Sequence, residues 1–323
     1  MQRRQFIKAG CATIAAIGIH PFSSAKALTR KCGVKTPPLN VRRKVEGQLK
    51  AFRMHSMSML TNKKIVIPIH YHIIHAGSEG KISEKDIAAQ TDVLNKDLQP
   101  YGITFTQKAV DYYDNEDWYV ADMIDHVKAK LGKDPTSCLN FYSSGLLQSG
   151  LLGYATFPWD KKDLGLMDGV VCNASTFPNG EEPYNLGRTA THEVGHWLGL
   201  FHTFQDGCSG NGDEVADTIA HDQPDYGCPS QSKQQACDGK SFSPLNNFMN
   251  YSDDQCLTEL SEGQMARIKE MVGKYRPEFL VAGNDAPTTS PVASESGYQS
   301  ITGEGSSDTV IGGGSEGTFA ITE

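Results

Sequence analysis

The chain has 323 residues, of which 38% are hydrophobic and 21% are charged, and this composition is typical of a globular protein with one large domain or two small ones. It excludes a short peptide and a wholly disordered chain. The net charge of −8 argues against a nucleic-acid-binding protein, which usually carries a basic face. The charge is uneven: residues 1–64 hold fourteen basic residues and one acid, whereas residues 283–323 hold six acids and no base.

The first 27 residues have the organisation of an export signal. A charged start with Arg3, Arg4 and Lys8 precedes an apolar stretch, and residues 25–27 (AKA) form an A-x-A cleavage site. The paired arginines resemble a twin-arginine signal, which directs the export of folded proteins. The apolar stretch is shorter than the roughly twenty residues that span a bilayer, so we expect a secreted or periplasmic protein with no membrane span. The alternative is a basic amphipathic N-terminus on a cytosolic protein.

Strands and helices alternate in the region that follows. In chain order, we expect a strand at 65–75, a helix opened by a capping box at Ser83, a strand at 103–106, a helix at 120–131, strands at 139–142, 154–157 and 169–172, and a helix at 186–198. This order predicts an α/β domain with a mixed sheet. Residues 200–276 predict a loop-rich lobe with one final helix at 261–275, and residues 283–323 a flexible acidic tail rich in Gly, Ser and Thr.

The run HEVGHWLGLFH, which begins at His192, is the candidate chemical site. His192 and His196 are four residues apart and share one face of a helix, and Gly199 can end that helix so that His202 approaches from another side. Three neutral imidazoles suit Zn²⁺ and leave a fourth position open for water. Glu193 lies beside the first ligand, where it can accept a proton from zinc-bound water, so the run predicts a hydrolase.

The extended histidine pattern and a later methionine-containing turn resemble the metzincin signature. Residues 189–191 (TAT), 200–204 (LFHTF), 212–218 (GDEVADT) and 249–256 (MNYSDDQC) are similar to the ulilysin-like branch of the pappalysin family. The resemblance covers about residues 30–276. It implies a metzincin catalytic domain with a mixed twisted sheet and helices above the zinc cleft, and an irregular lower half with a C-terminal helix. It also implies that Met249 lies beneath the zinc and that Tyr251 donates a hydrogen bond to the oxyanion.

The same resemblance gives Cys32 a role. Residues 30–34 (RKCGV) resemble the R-x-C-G cysteine switch of this family, in which a thiolate fills the open position of the zinc. We interpret residues 28–64, with a net charge of +9, as a basic pro-segment that complements the acidic body and inhibits it. Cleavage after Arg42-Arg43 or Lys63-Lys64 would remove it. The alternative is that Cys32 forms an intermolecular bridge.

Six further cysteines allow fifteen pairings by spacing alone. The family resemblance favours a bridge between Cys208 and Cys237 and another between Cys228 and Cys256. For Cys138 and Cys172 two alternatives stay open, a third bridge or two buried thiols. An oxidising destination permits bridges, but twin-arginine export requires either that they form after transport or that the lobe holds without them.

Acidic residues in the lower lobe suggest two further binding functions. Asp213, Glu214, Asp217 and Thr218 offer hard oxygens of the kind that Ca²⁺ takes, and the resemblance implies that Asp213 and Thr218 are ligands. The alternative is a solvated acidic loop. Asp254 follows the methionine turn, where we expect the floor of the pocket for the residue after the scissile bond. A carboxylate there pairs well with guanidinium, so we predict cleavage before Arg and, second, before Lys.

The leading hypothesis is a secreted zinc endopeptidase made as a latent proenzyme, with a signal at 1–27, a pro-segment at 28–64, a catalytic domain at 65–282 and a tail at 283–323. Its partners would be polypeptide substrates and its own pro-segment. A catalytically silent metzincin-fold binding protein is the main alternative, against which the intact Glu193 and Tyr251 argue, and no motif supports a non-peptidase zinc hydrolase. His70, His72 and His75 alternate on the first strand, but spacing suggests no partner group, so we expect packing or surface histidines.

Overall fold

The computed structural model describes residues 29–120 and 124–283. The export signal predicted for residues 1–27 and the tail from residue 284 onward lie outside the described residues. The described residues form helices α1 (Leu39–Ser56), α2 (Glu84–Leu98), α3 (Glu116–Val120), α4 (Ile124–Leu131), α5 (Lys161–Leu164), α6 (Arg188–Trp197) and α7 (Glu262–Tyr275), and strands β1 (Lys63–His75), β2 (Ile103–Asp114), β3 (Leu139–Ser144), β4 (Gly153–Ala155), β5 (Val170–Asn173) and β6 (Leu280–Ala282).

Five strands form a twisted sheet in the order β2-β1-β3-β5-β4. β1 pairs in parallel with β2 and β3, and β3 pairs in parallel with β5. β4 runs antiparallel to β5 at one edge, and β6 pairs antiparallel with the first residues of β1. The sheet is therefore mixed, which confirms the predicted α/β class.

Most of the predicted elements are present with shifted ends. Ser83 caps α2 by accepting a hydrogen bond from the Asp86 backbone, and Ser261 caps α7 in a capping box. β2 continues to Asp114 because β1 runs beside it and pairs along its length. The helix predicted at about 120–131 corresponds to α4, and α3 lies before it, where the Asn115 side chain accepts from the Trp118 backbone.

Helix α1 lies in the predicted pro-segment and is not anticipated from the sequence. Its residues Val45 and Leu49 are one helical turn apart and pack against Met271 of α7. Arg42 is buried within α1, and Lys63-Lys64 lie in β1, where they pair with β6. Neither dibasic site predicted for cleavage therefore lies in a loop, and cutting at either one requires local unfolding.

Helix α6 packs beneath the sheet, where Val194 and Trp197 join the main hydrophobic core. Below it, residues 200–260 contain little regular structure and carry two disulfides, Cys208–Cys237 and Cys228–Cys256, which is the pairing that the resemblance implies. Cys138 and Cys172 are buried free thiols, so they form no third bridge. None of the helices in the described ranges has the length and apolar character that crossing a membrane requires.

Candidate metal centre and substrate cleft

The three histidines predicted to bind a metal converge on one point. His192 and His196 lie on one face of α6, and Gly199 adopts a left-handed φ of +99° that turns the chain toward His202. A Cβ at Gly199 would lie 2.5 Å from Met271 Cγ, so both backbone conformation and space require glycine there. The three Nε2 atoms are 3.0 to 3.2 Å from one another.

The Nε2 atoms present lone pairs to the centre. The Nδ1 atoms of His192 and His196 lie 2.7 and 2.8 Å from the carbonyl oxygens of Phe248 and Leu200 and donate to them, which leaves each Nε2 as an acceptor. Burial lowers the pKa of His196 to about 4 and holds the pKa of His192 and of His202 well below 6.5, so the rings are neutral. Tetrahedral zinc would separate ligand nitrogens by roughly 3.3 Å. The donor set fits zinc.

Glu193 follows the first histidine on α6 and faces the same centre. Its Oε2 accepts a hydrogen bond from the Cys32 thiol at 3.4 Å, and burial raises the pKa of the Glu193 carboxyl to about 8. Gly153 of β4 leaves room for this carboxylate, because a Cβ there would lie 2.8 Å from Glu193 Cγ. The sequence carries no signal for Gly153, since only the packing of β4 against α6 creates the contact.

Met249 and Tyr251 lie where the resemblance places them. Met249 is fully buried beneath the histidines, and its sulfur occupies the space that a Cβ at Gly195 would need. The Tyr251 ring centroid is 5.0 Å from that of His202, and its hydroxyl accepts a hydrogen bond from the Cys32 backbone N–H at 3.3 Å. Burial raises the pKa of Tyr251, so the phenol keeps its proton and can donate it in a hydrogen bond.

The N-terminal end of the described chain fills the cleft. Cys32 Sγ and the ligand nitrogens of the three histidines all lie within 4.8 Å of one another. Burial and the Glu193 charge raise the pKa of the Cys32 thiol well above its usual value. On either side of Cys32, the Gly33 N–H donates to the Gly153 carbonyl at 2.8 Å and the Leu152 N–H donates to the Lys31 carbonyl at 2.9 Å. The segment therefore forms a parallel β-bridge with the edge at β4.

Asp254 lies at the base of a buried pocket that holds the Arg30 side chain. Arg30 Nη2 is 2.5 Å from Asp254 Oδ1, and both side chains are almost completely buried. The second oxygen of Asp254 accepts from the backbone N–H groups of Leu186 and Arg188. The sequence predicts Asp254 in a substrate pocket but does not connect it with Arg30, since 224 positions separate them.

Oxygen atoms cluster around Thr218 in the lower lobe. Thr218 Oγ1 lies 2.6 and 2.7 Å from the two carboxylate oxygens of Asp213 and 2.9 Å from the Val215 carbonyl oxygen. The Thr218 hydroxyl has one proton and can donate it to only one of these three oxygens at a time. Burial raises the pKa of the Asp213 carboxyl to about 7. A hard cation such as Ca²⁺ fits these oxygens. Asp217 does not join the cluster: it accepts from Ser261 and Gly263 at the start of α7.

The three histidines of β1 have a partner that sequence spacing does not reveal. Asp111 Oδ2 on β2 lies 2.8 Å from His70 Nε2, and His70, His72 and Asp111 together have the composition of a metal site. The His70 and His72 rings, however, stack with an interplanar angle of 14°, so their in-plane lone pairs cannot meet at one ion. His75 Nδ1 bonds the Gly77 carbonyl. This arrangement favours the predicted packing role.

Comparison with known proteins relates this geometry to a family. The M43 peptidase family, described as pregnancy-associated plasma protein-A, matches residues 129–273. An extracellular metalloprotease of Verticillium alfalfae is 37% identical over 232 residues, which cover 69% of this chain and 81% of the relative. An extracellular metalloprotease of Neurospora crassa is 34% identical over 296 residues, which cover 87% of this chain and 100% of the relative.

Two solved structures from Tannerella forsythia share the fold. A promirolysin mutant is 29% identical with a TM-score of 0.69, covering 80% of this chain and all of that one. Mature mirolysin in complex with a cleaved peptide is 30% identical with a TM-score of 0.62, covering 69% of this chain and 97% of that one. Fold and cleft together define a metzincin metalloendopeptidase. Within that class, the chain belongs to the pappalysin-like M43 family of zinc metalloproteases.

Proposed function

We propose that the protein is a secreted zinc endopeptidase, made as a latent proenzyme, that cleaves polypeptides before arginine and, less readily, before lysine. The observation that carries this proposal is the position of residues 30–33. Cys32 lies against the three histidines while Arg30 pairs with Asp254, so one short segment fills both the metal centre and the adjacent pocket. Arg30 is a stand-in for the arginine of a substrate.

Latency follows from what Cys32 contacts. Its thiol engages the Glu193 carboxylate and its backbone N–H engages the Tyr251 hydroxyl, so the two groups proposed for catalysis are both occupied. Thiolates are good zinc ligands, and one at the open position would exclude water. The likeness to a structure named promirolysin covers more of this chain than the likeness to mature mirolysin, 80% against 69%, which supports a pro-segment at residues 28–64.

The proposed mechanism assigns a task to each cleft residue. Zinc, when held by His192, His196 and His202, supplies a Lewis acid that acidifies water and polarises a carbonyl. Glu193 takes the proton from the attacking water and returns it to the leaving amine. Tyr251 donates its phenolic hydrogen bond to the developing oxyanion. The edge of β4, once residues 31–33 have left it, offers backbone groups that can hold an extended peptide.

The remaining predictions complete the proposal. Export through the signal at residues 1–27 agrees with the relatives, which are named extracellular metalloproteases. Residues 65–282 would form the catalytic domain, with β1 beginning two residues earlier, at Lys63. A Ca²⁺ ion held by Asp213 and Thr218 would stabilise the lower lobe, as the clustered oxygens suggest.

The test compares three full-length proteins loaded with zinc. The unlatched chain carries Arg30→Ala and Cys32→Ala, which empties the cleft and keeps α1 and β1. We expect the unlatched chain to cut a peptide library before arginine, and the natural chain to cut it far more slowly. Adding Glu193→Ala to the unlatched chain should lower kcat by about 10² to 10⁴-fold with zinc content unchanged. Mass spectrometry identifies the cut sites, and a chelator should stop the cutting.

Two outcomes would contradict the proposal. A silent binding protein would retain peptides without cutting them in all three forms. A protease without latency would cut equally fast with the natural and the unlatched chain.

A further inference from the structure

The third histidine of the metal centre is held differently from the other two. His192 and His196 each donate a hydrogen bond from Nδ1 to a carbonyl oxygen of the chain. Nδ1 of His202 bonds no group in residues 29–120 or 124–283. A histidine that binds zinc usually has such a partner, which fixes the orientation of its ring. The orientation of the His202 ring must therefore come from packing.

Phe204 supplies this packing. Its ring lies against the His202 ring with a centroid distance of 4.8 Å and an interplanar angle of 9°, which is a stacked arrangement. Tyr251 packs edge-on against both rings, with its centroid 5.0 Å from that of His202 and 4.8 Å from that of Phe204. The plane of the Phe204 ring therefore sets the direction in which the His202 lone pair points.

A fully buried histidine, His221, holds the two residues that follow His202. His221 Nε2 lies 3.0 Å from the Thr203 hydroxyl oxygen, and the His221 ring packs edge-on against Phe204 at a centroid distance of 6.1 Å. His221 Nδ1 lies 2.9 Å from the Gln223 carbonyl oxygen, which can only accept. Nδ1 therefore carries the proton, and Nε2 accepts from Thr203. Burial lowers the pKa of His221, which keeps the ring neutral.

His221 is itself anchored to the disulfide-bonded part of the lower lobe. It pairs with Ala236 in an antiparallel β-bridge, and the Cys237 backbone N–H donates to the Ala220 carbonyl at 2.9 Å. Cys237 is bridged to Cys208. A covalently closed loop, and not helix α6, therefore determines the position of His221.

We propose that Phe204 and His221 are positioning residues for the third zinc ligand. Phe204 fixes the plane of the His202 ring by stacking. His221 fixes the backbone after His202, because it accepts from Thr203 and packs against Phe204. Together they do for His202 what a carbonyl oxygen does for each of the other two ligands. The inference deepens the proposed function and rests on its zinc site.

Zinc affinity tests the proposal without any turnover. The protein is the full-length unlatched chain with Glu193→Ala added, and its zinc dissociation constant is measured by competition with a chromophoric chelator. Loss of an outer partner of a zinc ligand weakens metal binding by roughly ten- to a hundredfold. We expect a loss of this size for His221→Leu, for Phe204→Leu, and for Thr203→Val, which removes only the hydroxyl group.

Conservative variants and surface controls separate positioning from folding. His221→Gln keeps an acceptor near the Nε2 position and Phe204→Tyr keeps the ring, so both should bind zinc nearly as tightly as the parent chain. His126→Leu and Phe242→Leu replace exposed residues of the same types and should leave the constant unchanged. With cobalt(II) in place of zinc, the visible absorption should change in Phe204→Leu and stay the same in Phe204→Tyr. If His221→Leu does not fold, Thr203→Val and Phe204→Leu decide.

The outcomes separate this inference from the proposed function. Zinc affinity in Thr203→Val and Phe204→Leu equal to that of the parent chain would overturn the inference and leave the zinc site intact. Conservative variants that lose as much affinity as the others would also overturn it, since the acceptor and the ring would then not be what matters. A parent chain that binds no zinc would overturn the proposed function and the inference together.

Discussion

At the scale of single residues, the cleft is organised by groups that need an exact partner on another part of the chain. The Glu193 side chain fits only because Gly153 has no side chain, and the Met249 side chain fits only because Gly195 has none. Tyr251 depends on its neighbour, because its backbone N–H donates to the Asn250 side chain at 2.8 Å. Small changes at such residues should therefore affect catalysis more than folding.

Tyr251→Phe tests this view. The substitution removes one hydroxyl and keeps the ring against His202, so the loss is confined to the proposed oxyanion hydrogen bond. In the unlatched chain we expect kcat to fall by about 10² to 10³-fold with little change in KM, measured on an arginine peptide. Tyr226→Phe, at a half-exposed tyrosine nearby, serves as the control. A rise in KM with kcat preserved would assign Tyr251 to substrate binding instead.

At the scale of elements, helix α1 attaches the proposed pro-segment to the side of the proposed catalytic domain. It packs on α7, and three ion pairs extend the contact: Arg42 Nη1 lies 2.6 Å from Asp206 Oδ2, Glu46 Oε1 lies 2.7 Å from Arg267 Nη2, and Arg53 Nε lies 3.3 Å from Glu270 Oε1. Asp206 follows His202 by four residues. The helix is therefore tied to the loop that carries the third histidine.

Arg42→Ala should weaken this attachment. Loss of a partly buried charged hydrogen bond costs about 1 to 3 kcal/mol, so the undocked fraction of the proposed pro-segment should rise by roughly 5- to 150-fold. The measurement is the background peptide cleavage of the full-length chain that keeps Arg30 and Cys32. Arg43→Ala, at the exposed neighbouring position, should leave background cleavage unchanged. Identical backgrounds for the two variants would mean that α1 contributes nothing to latency.

The lower lobe is a second element, and its stability should depend on calcium. Added Ca²⁺, with zinc saturating, should raise the melting temperature of the full-length chain because it brings a positive charge to the buried Asp213 carboxylate. Asp213→Asn should lose this response, and Asp238→Asn, at an exposed acid in the same lobe, should keep it. Calorimetry with and without Ca²⁺ measures the melting temperature of each variant. A response that survives Asp213→Asn would place the ion elsewhere.

At the scale of the whole molecule, one buried ion pair joins distant parts of the chain. Arg276, just after α7, contacts both carboxylate oxygens of Asp168 at 2.8 Å, and Asp168 also accepts from the Trp197 indole at the end of α6. Burial raises the pKa of Asp168, but the Arg276 charge and the hydrogen bonds from Arg276, Thr156 and Trp197 together outweigh burial and hold the pKa below its usual value. This contribution to stability is complete above the unfolded pKa of about 3.9 and is lost as the pH falls below it.

Arg276→Met should therefore lower the free energy of unfolding by about 3 to 5 kcal/mol at pH 7, because Asp168 is left buried without a counter-charge. The loss should shrink toward pH 3, because Asp168 of the variant, buried without a counter-charge, takes up a proton and becomes neutral. Urea unfolding at both pH values measures it. Arg53→Met, which removes a half-exposed arginine paired with Glu270, should cost less than about 1 kcal/mol. A loss that does not depend on pH would show that packing of Arg276, and not its charge, matters.

Much of the centre follows from local rules that a sequence displays. Residues four apart share a helix face, a glycine can end a helix in the left-handed conformation, and a serine with a partner three residues later caps one, so His192, His196, His202 and the starts of α2 and α7 are predictable. The motif similarity adds Met249, Tyr251, Cys32 and the two disulfide pairings. Each of these features depends either on backbone geometry over a few residues or on a recurrent pattern.

Only the tertiary structure decides the contacts between distant segments. The pairing of Arg30 with Asp254, the packing of α1 on α7, and the meeting of His70 with Asp111 each join residues that no local periodicity relates. Helix α1 is not predicted from the sequence, because its stability comes from the surface it covers. The sequence by itself determined the chemistry of the centre, because neighbouring residues supply it. The fold decided that Arg30 fills the pocket at Asp254, because that depends on which surfaces exclude water together.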